Sequence, residues 1–359
     1  MLKPIGAVLL TIAMAVLPVR AIENGSEKTA ENNSGLLDAV PENRLLNLSA
    51  QARFDYQHTT YDGETSNPNS GFEGQYLLLR LDGTIAKGLT YSWRHRLNRP
   101  ISDSHFFDGA DWLFLRYDYD RWSFSAGKEV VAIGGWEYDC NPVNLFGTSV
   151  FWNNISCFQV AGTIGYDVTD HDRIAFQMSE SPFFSRDDRD MYSYNLMWYG
   201  HHGAYSSLWS ANMVEYRPGH FINYISLGNR FELGKWEIEA DLMNRAASHQ
   251  TFFFKDCSAI ANIAFNPSER WRIHGKFTYD VNRTGTDADM CVMDGTELKM
   301  AGGGVEFYPL KKDRTSLRAH ATAYYSWGRN GNERNLMQNK TLLLAVGLSW
   351  RMDFLTLKR

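Results

Sequence analysis

The charged side chains of this sequence fall into two groups of opposite sign, and their spacing decides what they could do. Arg53, Arg80, Arg94, Arg96 and Arg116 recur through the first third of the chain, and Arg318 and Arg351 extend the series near its end. Glu232, Glu237, Glu239 and Asp241 form a compact acidic group, followed by Arg272 and Lys276. Rows of like charge bind or steer ions and dipolar solutes. Hydrolysis would need more, either a nucleophile beside a base or a metal cluster. The ten histidines are dispersed, and neither Gly-x-Ser-x-Gly nor His-Glu-x-x-His occurs. Asp187, Asp188 and Asp190 could hold a calcium ion, but a solvated acidic loop is the simpler reading. The sequence therefore predicts no catalytic residue, no metal site and no cofactor.

The elements that would position these charges alternate with period two. Leu48, Ala50, Ala52, Phe54 and Tyr56 fall on one face, and Asn47, Ser49, Gln51, Arg53 and Asp55 on the other. A strand explains this pattern and a helix does not. The alternation returns in Trp271–Asp280 and again in Lys340–Phe354. About sixteen such segments follow one another between 45–58 and 340–354, including 157–168, 222–233, 252–265 and 298–308. Short turns such as Lys87-Gly88, Asp120-Arg121, Gly234-Lys235 and Asn266–Arg270 alternate with mostly longer loops at 59–71, 99–110, 281–297 and 328–339. Three turns repeat a phrase in which a charged residue precedes a strand-opening Trp122, Trp236 or Trp271. An even number of half-polar strands, tight turns at one end and aromatics at matching depth predict an all-β, up-and-down antiparallel barrel that spans a membrane.

Faces follow from energetics. Turning a Lys or Arg toward lipid at the midplane costs roughly 2–4 kcal/mol, so the polar faces must line the lumen. A lumen of about sixteen strands is too wide for wall side chains alone to fill, which predicts an aqueous channel for small hydrophilic solutes and ions. The arginines then make a basic wall over strands 1–4, 15 and 16, facing the acidic group on strands 10 and 11. Such a transverse field would tune ion choice, although any polar lumen carries charges of both signs and Asp55, Asp82, Asp118 and Glu306 interrupt the wall. His95, Lys128 and Lys255 fall on nominally lipid-facing positions.

The ends and the composition bound the class. Lys3, the apolar run Ile5–Leu17 and Val19-Arg20-Ala21 have the layout of a secretory signal peptide over residues 1–21. Residues 22–44 read as a polar periplasmic lead-in, and 45–359 as one barrel domain. Removing 1–21 takes Lys3 and Arg20 from the 36 basic residues and leaves 34 against 41 acidic ones. That weak acidity argues against a nucleic-acid partner. Export through the first residues and strands facing lipid place the chain in the bacterial outer membrane. Four cysteines in an exported chain allow three pairings. Cys140–Cys157 and Cys257–Cys291 would each close a short local loop, and free buried thiols are the alternative.

The stretch Gly127-Lys128-Glu129 … Gly134-Gly135-Trp136-Glu137-Tyr138-Asp139-Cys140-Asn141-Pro142, after strand 5, resembles the corresponding segment of the phosphate-selective porin O and P family, in its Bacteroidetes branch. The strand count and the final amphipathic strand extend the resemblance over 45–354. The resemblance implies a homotrimeric outer-membrane porin whose long loop after strand 5 folds into the lumen as a constriction, with Glu129, Glu137 and Asp139 near it. It also implies that Arg53, Arg80, Arg94, Arg96 and Arg116 stand where phosphate specialists carry a ladder of Arg and Lys. The acidic loop and acidic wall depart from a purely basic ladder, so a general or weakly anion-preferring pore is expected. An adhesin or structural barrel is the alternative, with an outer-membrane hydrolase behind it. The tail Leu-Thr-Leu-Lys-Arg after Phe354 departs from a terminal aromatic.

Overall fold

A computed structural model describes residues 44–98, 106–184, 188–250, 253–310, 313–314, 316–332 and 336–358. The expected signal peptide (1–21) and nearly all of the expected lead-in (22–44) lie outside the described residues, as does Asp187. Sixteen strands form the wall: β1 (Arg44–Tyr61), β2 (Gly71–Ala86), β3 (Leu89–Arg96), β4 (Ala110–Tyr119), β5 (Trp122–Val130), β6 (Phe158–Asp167), β7 (Asp172–Glu180) and β8 (Tyr192–His202), then β9 (Tyr205–Arg217), β10 (His220–Leu233), β11 (Trp236–Ala247), β12 (Asp256–Ser268), β13 (Trp271–Asn282), β14 (Glu297–Phe307), β15 (Leu317–Arg329) and β16 (Thr341–Lys358). A two-residue strand, Glu64–Thr65, folds back on the end of β1.

Each wall strand pairs antiparallel with its sequence neighbours, and the sheet closes where β1 meets β16 from Arg44↔Lys358 to Tyr61↔Thr341. Closure leaves no unpaired sheet edge at membrane depth, where a bare N–H or C=O has no water to bond. Burial follows the predicted alternation. On β7 and β8, Gln177 and Asn195 are fully buried, whereas Phe176 and Leu196 between them are 48% and 51% exposed. Apolar side chains facing out around a polar interior invert a soluble protein, as lipid requires. Leu196→Arg is accordingly expected to cost about 2–4 kcal/mol of folding free energy if the site is near the midplane. Urea titration of folding into lipid vesicles checks this, and a cost near zero would mean that this face does not meet hydrocarbon.

The repeated Trp phrase has a structural counterpart. Trp122, Trp236 and Trp271 open β5, β11 and β13 and lie 4.6, 4.6 and 4.8 Å from Tyr166, Phe265 and Phe307 on the next strand. These cross-strand ring pairs, each Trp about half exposed, form the boundary girdle at the turn end.

Two sequence expectations, for Lys255 and His95, need correction, and one connection at the loop end is short. β12 begins at Asp256, so Lys255 lies in the preceding loop and not on a lipid face. The β9–β10 connection is a two-residue turn, Pro218-Gly219, with Gly219 at φ 76°. At His95 the β3–β4 register shifts by one residue, and the ring lies 7% exposed against Gly109. A bulge turns a nominal outward position aside in this way. Lys128 keeps its outward parity and donates to the Phe107 carbonyl at 3.2 Å.

Candidate functional site: the lumen and the segment after β5

The lumen-facing arginines are paired with acids, four of them two positions along the same strand. Arg53 meets Asp55 at 2.6 Å, Arg80 meets Asp82 at 2.8 Å, Arg116 meets Asp118 at 2.9 Å, and Arg351 meets Asp353 at 3.4 Å. Residues i and i+2 of a strand share a face, so the motif Arg-x-Asp builds its own ion pair. It recurs on β16, β1, β2 and β4, and it is legible in the sequence once the face is known. On β3, Arg94 and Arg96 share Asp111 of β4 at 2.9 and 3.7 Å.

The expected contrast between a basic and an acidic wall is therefore corrected. Arg230 stands within the acidic group, with Nε donating to Glu239 at 2.8 Å. Arg272 reaches Glu237 at 2.9 Å, and Arg318 reaches Glu306 at 3.0 Å. An uncompensated charge in a partly dehydrated lumen costs several kcal/mol, so opposite charges are interleaved locally rather than sorted onto walls. Asp241 accepts the Glu137 backbone N–H at 2.8 Å, and Glu232 stays exposed at the turn end of β10.

The segment 131–157 between β5 and β6 reaches inward-facing groups around most of the barrel. Ala132 N–H donates to Gln177 on β7, and Gly134 N–H to Ser210 on β9, each at 2.8 Å. On β10, Ser226 donates to the Gly134 carbonyl at 2.7 Å. Val150 N–H donates to Asp280 of β13 at 3.0 Å. On the far side Arg318 donates to the Val143 carbonyl at 2.8 Å and Arg53 to that of Leu145 at 2.7 Å. Between these anchors, Phe146 lies 4.2 Å from the Arg53 guanidinium, 4.7 Å from His320 and 5.5 Å from His274. Trp136, at the start of the helical turn Trp136–Asp139, stacks under Arg230 at 3.7 Å. Aromatic faces under guanidinium groups add cation–π attraction to the hydrogen bonds.

The three acids expected near this segment divide. Glu137 is buried and bonded to Ser149 N–H at 3.0 Å and to Lys276 of β13 at 2.6 Å, so it braces the segment and ties it to the wall. Asp139 is buried at 4% exposure, and Glu129 ends β5 and accepts from Thr163 at 2.6 Å. Glu129 therefore belongs to the wall.

All four cysteines are free thiols, so neither expected disulfide is present. Cys140 sits among Glu239, Lys276 and Arg230, while Cys157 lies beside Tyr138, Arg94 and Arg96 at the other side of the lumen. Burial pushes the Cys140 thiol up to about 12 and that of Cys157 to about 11. Cys257 has the opposite parity to Asp256 and Ser258, which bond Arg245, whereas Cys291 packs in an apolar cluster with Tyr138 and Phe151. Sequence proximity misled here: the path of the segment 131–157 gives Cys140 and Cys157 different neighbours, and strand parity turns Cys257 away from the side on which Asp256 and Ser258 bond Arg245.

Space remains on the turn side of the segment as a cavity of about 520 Å³, bordered by Arg80, Arg94, Glu137, Arg230 and Glu306 among others. Solvent reaches the arginines unequally. The side chains of Arg80 and Arg96 keep 30% and 19% exposure, against 7% for Arg53 and 4% for Arg94.

A closed sixteen-stranded barrel with an apolar exterior and a charged, partly open lumen has the architecture of a passive outer-membrane channel. Residues 46–218, which carry β1 through β9, match the model of the phosphate-selective porin O and P family, the family its loop motif resembles. Among solved structures, the chain is similar to an anion-selective porin from Comamonas acidovorans at TM-score 0.63 and 9% identity, covering 86% of this chain and 99% of that one. It is similar also to the outer-membrane OmpT of Vibrio cholerae, at TM-score 0.58, 10% identity and coverage of 88% and 99%. OmpF of Salmonella typhi, in complex with daunomycin, gives 0.57, 12%, 88% and 99%. At these identities the likeness is one of fold. No curated protein matches the sequence.

Proposed function

We propose that the chain is a weakly anion-preferring pore in which small hydrophilic solutes pass between the segment 131–157 and the arginines of β2–β4. The observation that carries this reading is the anchoring of 131–157. Its hydrogen bonds run to β1, β7, β9, β10, β11, β13 and β15, while Arg80 of β2 and Arg96 of β3 keep side-chain exposures of 30% and 19% beside it. The segment then acts as the constriction, and Glu137 holds it in place rather than meeting the solute. Each arginine has a carboxylate partner, which supports mild selectivity over a strong anion filter. The assembly we propose is a homotrimer in outer-membrane lipid, exported by residues 1–21, with 22–44 as a periplasmic lead-in and no catalytic role. Arg272, Lys276, Arg318 and Arg351 serve as charged lining nearer the turn end.

Conductance of single channels in planar bilayers, with reversal potentials in a salt gradient, tests this. Arg80→Glu with Arg96→Glu is expected to move the reversal potential toward cations, since charges beside a narrow path set local ion concentration. An unchanged reversal potential would take these arginines out of the path, and absence of conductance in the unaltered protein would favour a structural barrel. Arg94 is the wrong residue for this test, because its reversal would leave buried Asp111 facing a like charge.

A further inference from the structure

The loop 283–296 joins β13 to β14 at the loop end of the barrel, and its composition is that of a solvated loop. Its middle nevertheless turns inside. Ala288 and Asp289 are 2% exposed and Cys291 and Val292 fully buried, while Met290 and Met293 point out at 51% and 47%. Burying an aspartate in a surface loop is costly unless a cation meets it. Here Arg245 of β11, itself fully buried, meets Asp289 with Nε at 2.6 Å from Oδ2. The same guanidinium holds Asp256 at 2.9 Å and donates to Ser258 at 3.0 Å, both on β12. Asp289 also folds the loop around itself by accepting from the backbone N–H groups of Cys291 and Val292 at 2.7 and 3.1 Å.

The tucked loop touches the segment after β5. Asn154, at the end of the short helix Val150–Asn154, donates to the Cys291 carbonyl at 3.0 Å. Cys291 and Val292 pack in one cluster with Tyr138, Val150 and Phe151 of that segment and with Tyr224 of the wall. On its other side Asn282 donates to the Val292 carbonyl at 2.7 Å. Side chains that would line open water are thus part of a dry core inside the barrel mouth.

We propose that 283–296 is a second inward loop of this channel, latched by Asp289 to Arg245, and that it braces the segment 131–157 so that the two together set the width of the passage. The inference rests on the reading of 131–157 as the border of the path. Arg245 and Asp289 are positioning residues in this scheme and touch no solute. One guanidinium serving two carboxylates also explains how the latch can open without dismantling the wall, because Arg245 keeps Asp256 when Asp289 leaves.

Cys291 is a built-in reporter. It is fully buried, and burial pushes its thiol well above the usual range, so it resists alkylation while the loop is tucked. The test uses the full-length protein in vesicles, a membrane-impermeant maleimide and peptide mass spectrometry to follow labelling at Cys291. In Asp289→Ala, labelling is expected to be at least about tenfold faster, since it follows the population of the opened loop. Single-channel conductance is expected to rise by about twofold or more as the path widens. Should Asp289→Ala fail to fold, replacing 285–294 by a short Gly-Ser linker leaves Arg245 paired with Asp256 and carries the same conductance expectation. Fast labelling of Cys291 in the unaltered protein would overturn the latch. Faster labelling with unchanged conductance would overturn the claim that the loop borders the path. An unaltered protein that folds, shields Cys291 and conducts nothing would instead refute the channel reading, leaving the latch standing and its effect on passage overturned.

Discussion

Replacing Glu306 by Ala is expected to destabilise the barrel by about 3–5 kcal/mol, the range found when one partner of a buried ionic group is removed. Glu306 is 4% exposed on the inward face of β14 and is shared by four neighbours. Its Oε2 accepts from Arg318 at 3.0 Å and from the Tyr308 hydroxyl at 2.8 Å. Its Oε1 lies 3.2 Å from His274 and 3.5 Å from Arg272. Arg272 retains Glu237 when Glu306 is lost, but among the described residues Arg318 pairs with no second carboxylate. Arg318 also holds the Val143 carbonyl, so the loss extends to the segment 131–157. The midpoint of urea unfolding in detergent micelles measures this, with Glu306→Gln expected to lose less because its shape and two hydrogen bonds can persist. A loss for Glu306→Ala below about 1 kcal/mol would class the cluster with exposed ion pairs.

Gly228→Val is expected to unseat the segment 131–157 and turn a steady single-channel current into a flickering one. A Cβ at Gly228 would lie 2.8 Å from Gly135 Cα and 2.9 Å from the Leu208 carbonyl oxygen. Carbon atoms in ordinary contact sit about 3.5–4.0 Å apart, so the segment must move by roughly that difference. The segment lies equally close to β9, since a Cβ at Gly134 would meet the Leu208 carbonyl at 2.6 Å and Ser210 N at 2.9 Å. Backbone rather than side chain stands in the way, which leaves no rotamer to relieve the clash. Displacement would break the bonds from Gly134 to Ser210, Gly135 to Leu208 and Glu137 to Asp241. Open-channel noise in planar bilayers and chymotrypsin cleavage within 131–157 are the readouts. Unchanged noise together with unchanged protease resistance would mean that the close glycine approach does not hold the segment.

Much of the wall is legible in the linear sequence because its causes are local. The alternation of Leu48 to Tyr56 against Asn47 to Asp55 needs only the pleat and the cost of polar groups in lipid. The repeated Trp phrase likewise marks three of the turn-end boundaries, since an amphipathic ring prefers that depth. Even the Arg-x-Asp ion pairs are written in the sequence, as a two-residue spacing on one face. Asp55, Asp82 and Asp118 looked like interruptions of a basic wall, whereas each is the ion-pair partner of the arginine two residues before it. Arg230 was visible by the same parity that placed Glu232 inside.

The interior was not legible in this way. Nothing in the spacing of Asp289 and Arg245, or of Glu137 and Lys276, announces that they meet, because each pair joins a loop to a distant strand through the curvature of the closed sheet. The same curvature carries Cys140 and Cys157 to different neighbours although the chain brings them close, so short loops did not become disulfides. Period two and lipid exclusion were enough for the sequence to determine strands, faces, girdle and the existence of a lumen. Which charges cancel inside that lumen, and which loops occupy it, only the tertiary structure decided. Those outcomes depend on distances across the barrel, and such distances exist only once β1 has met β16.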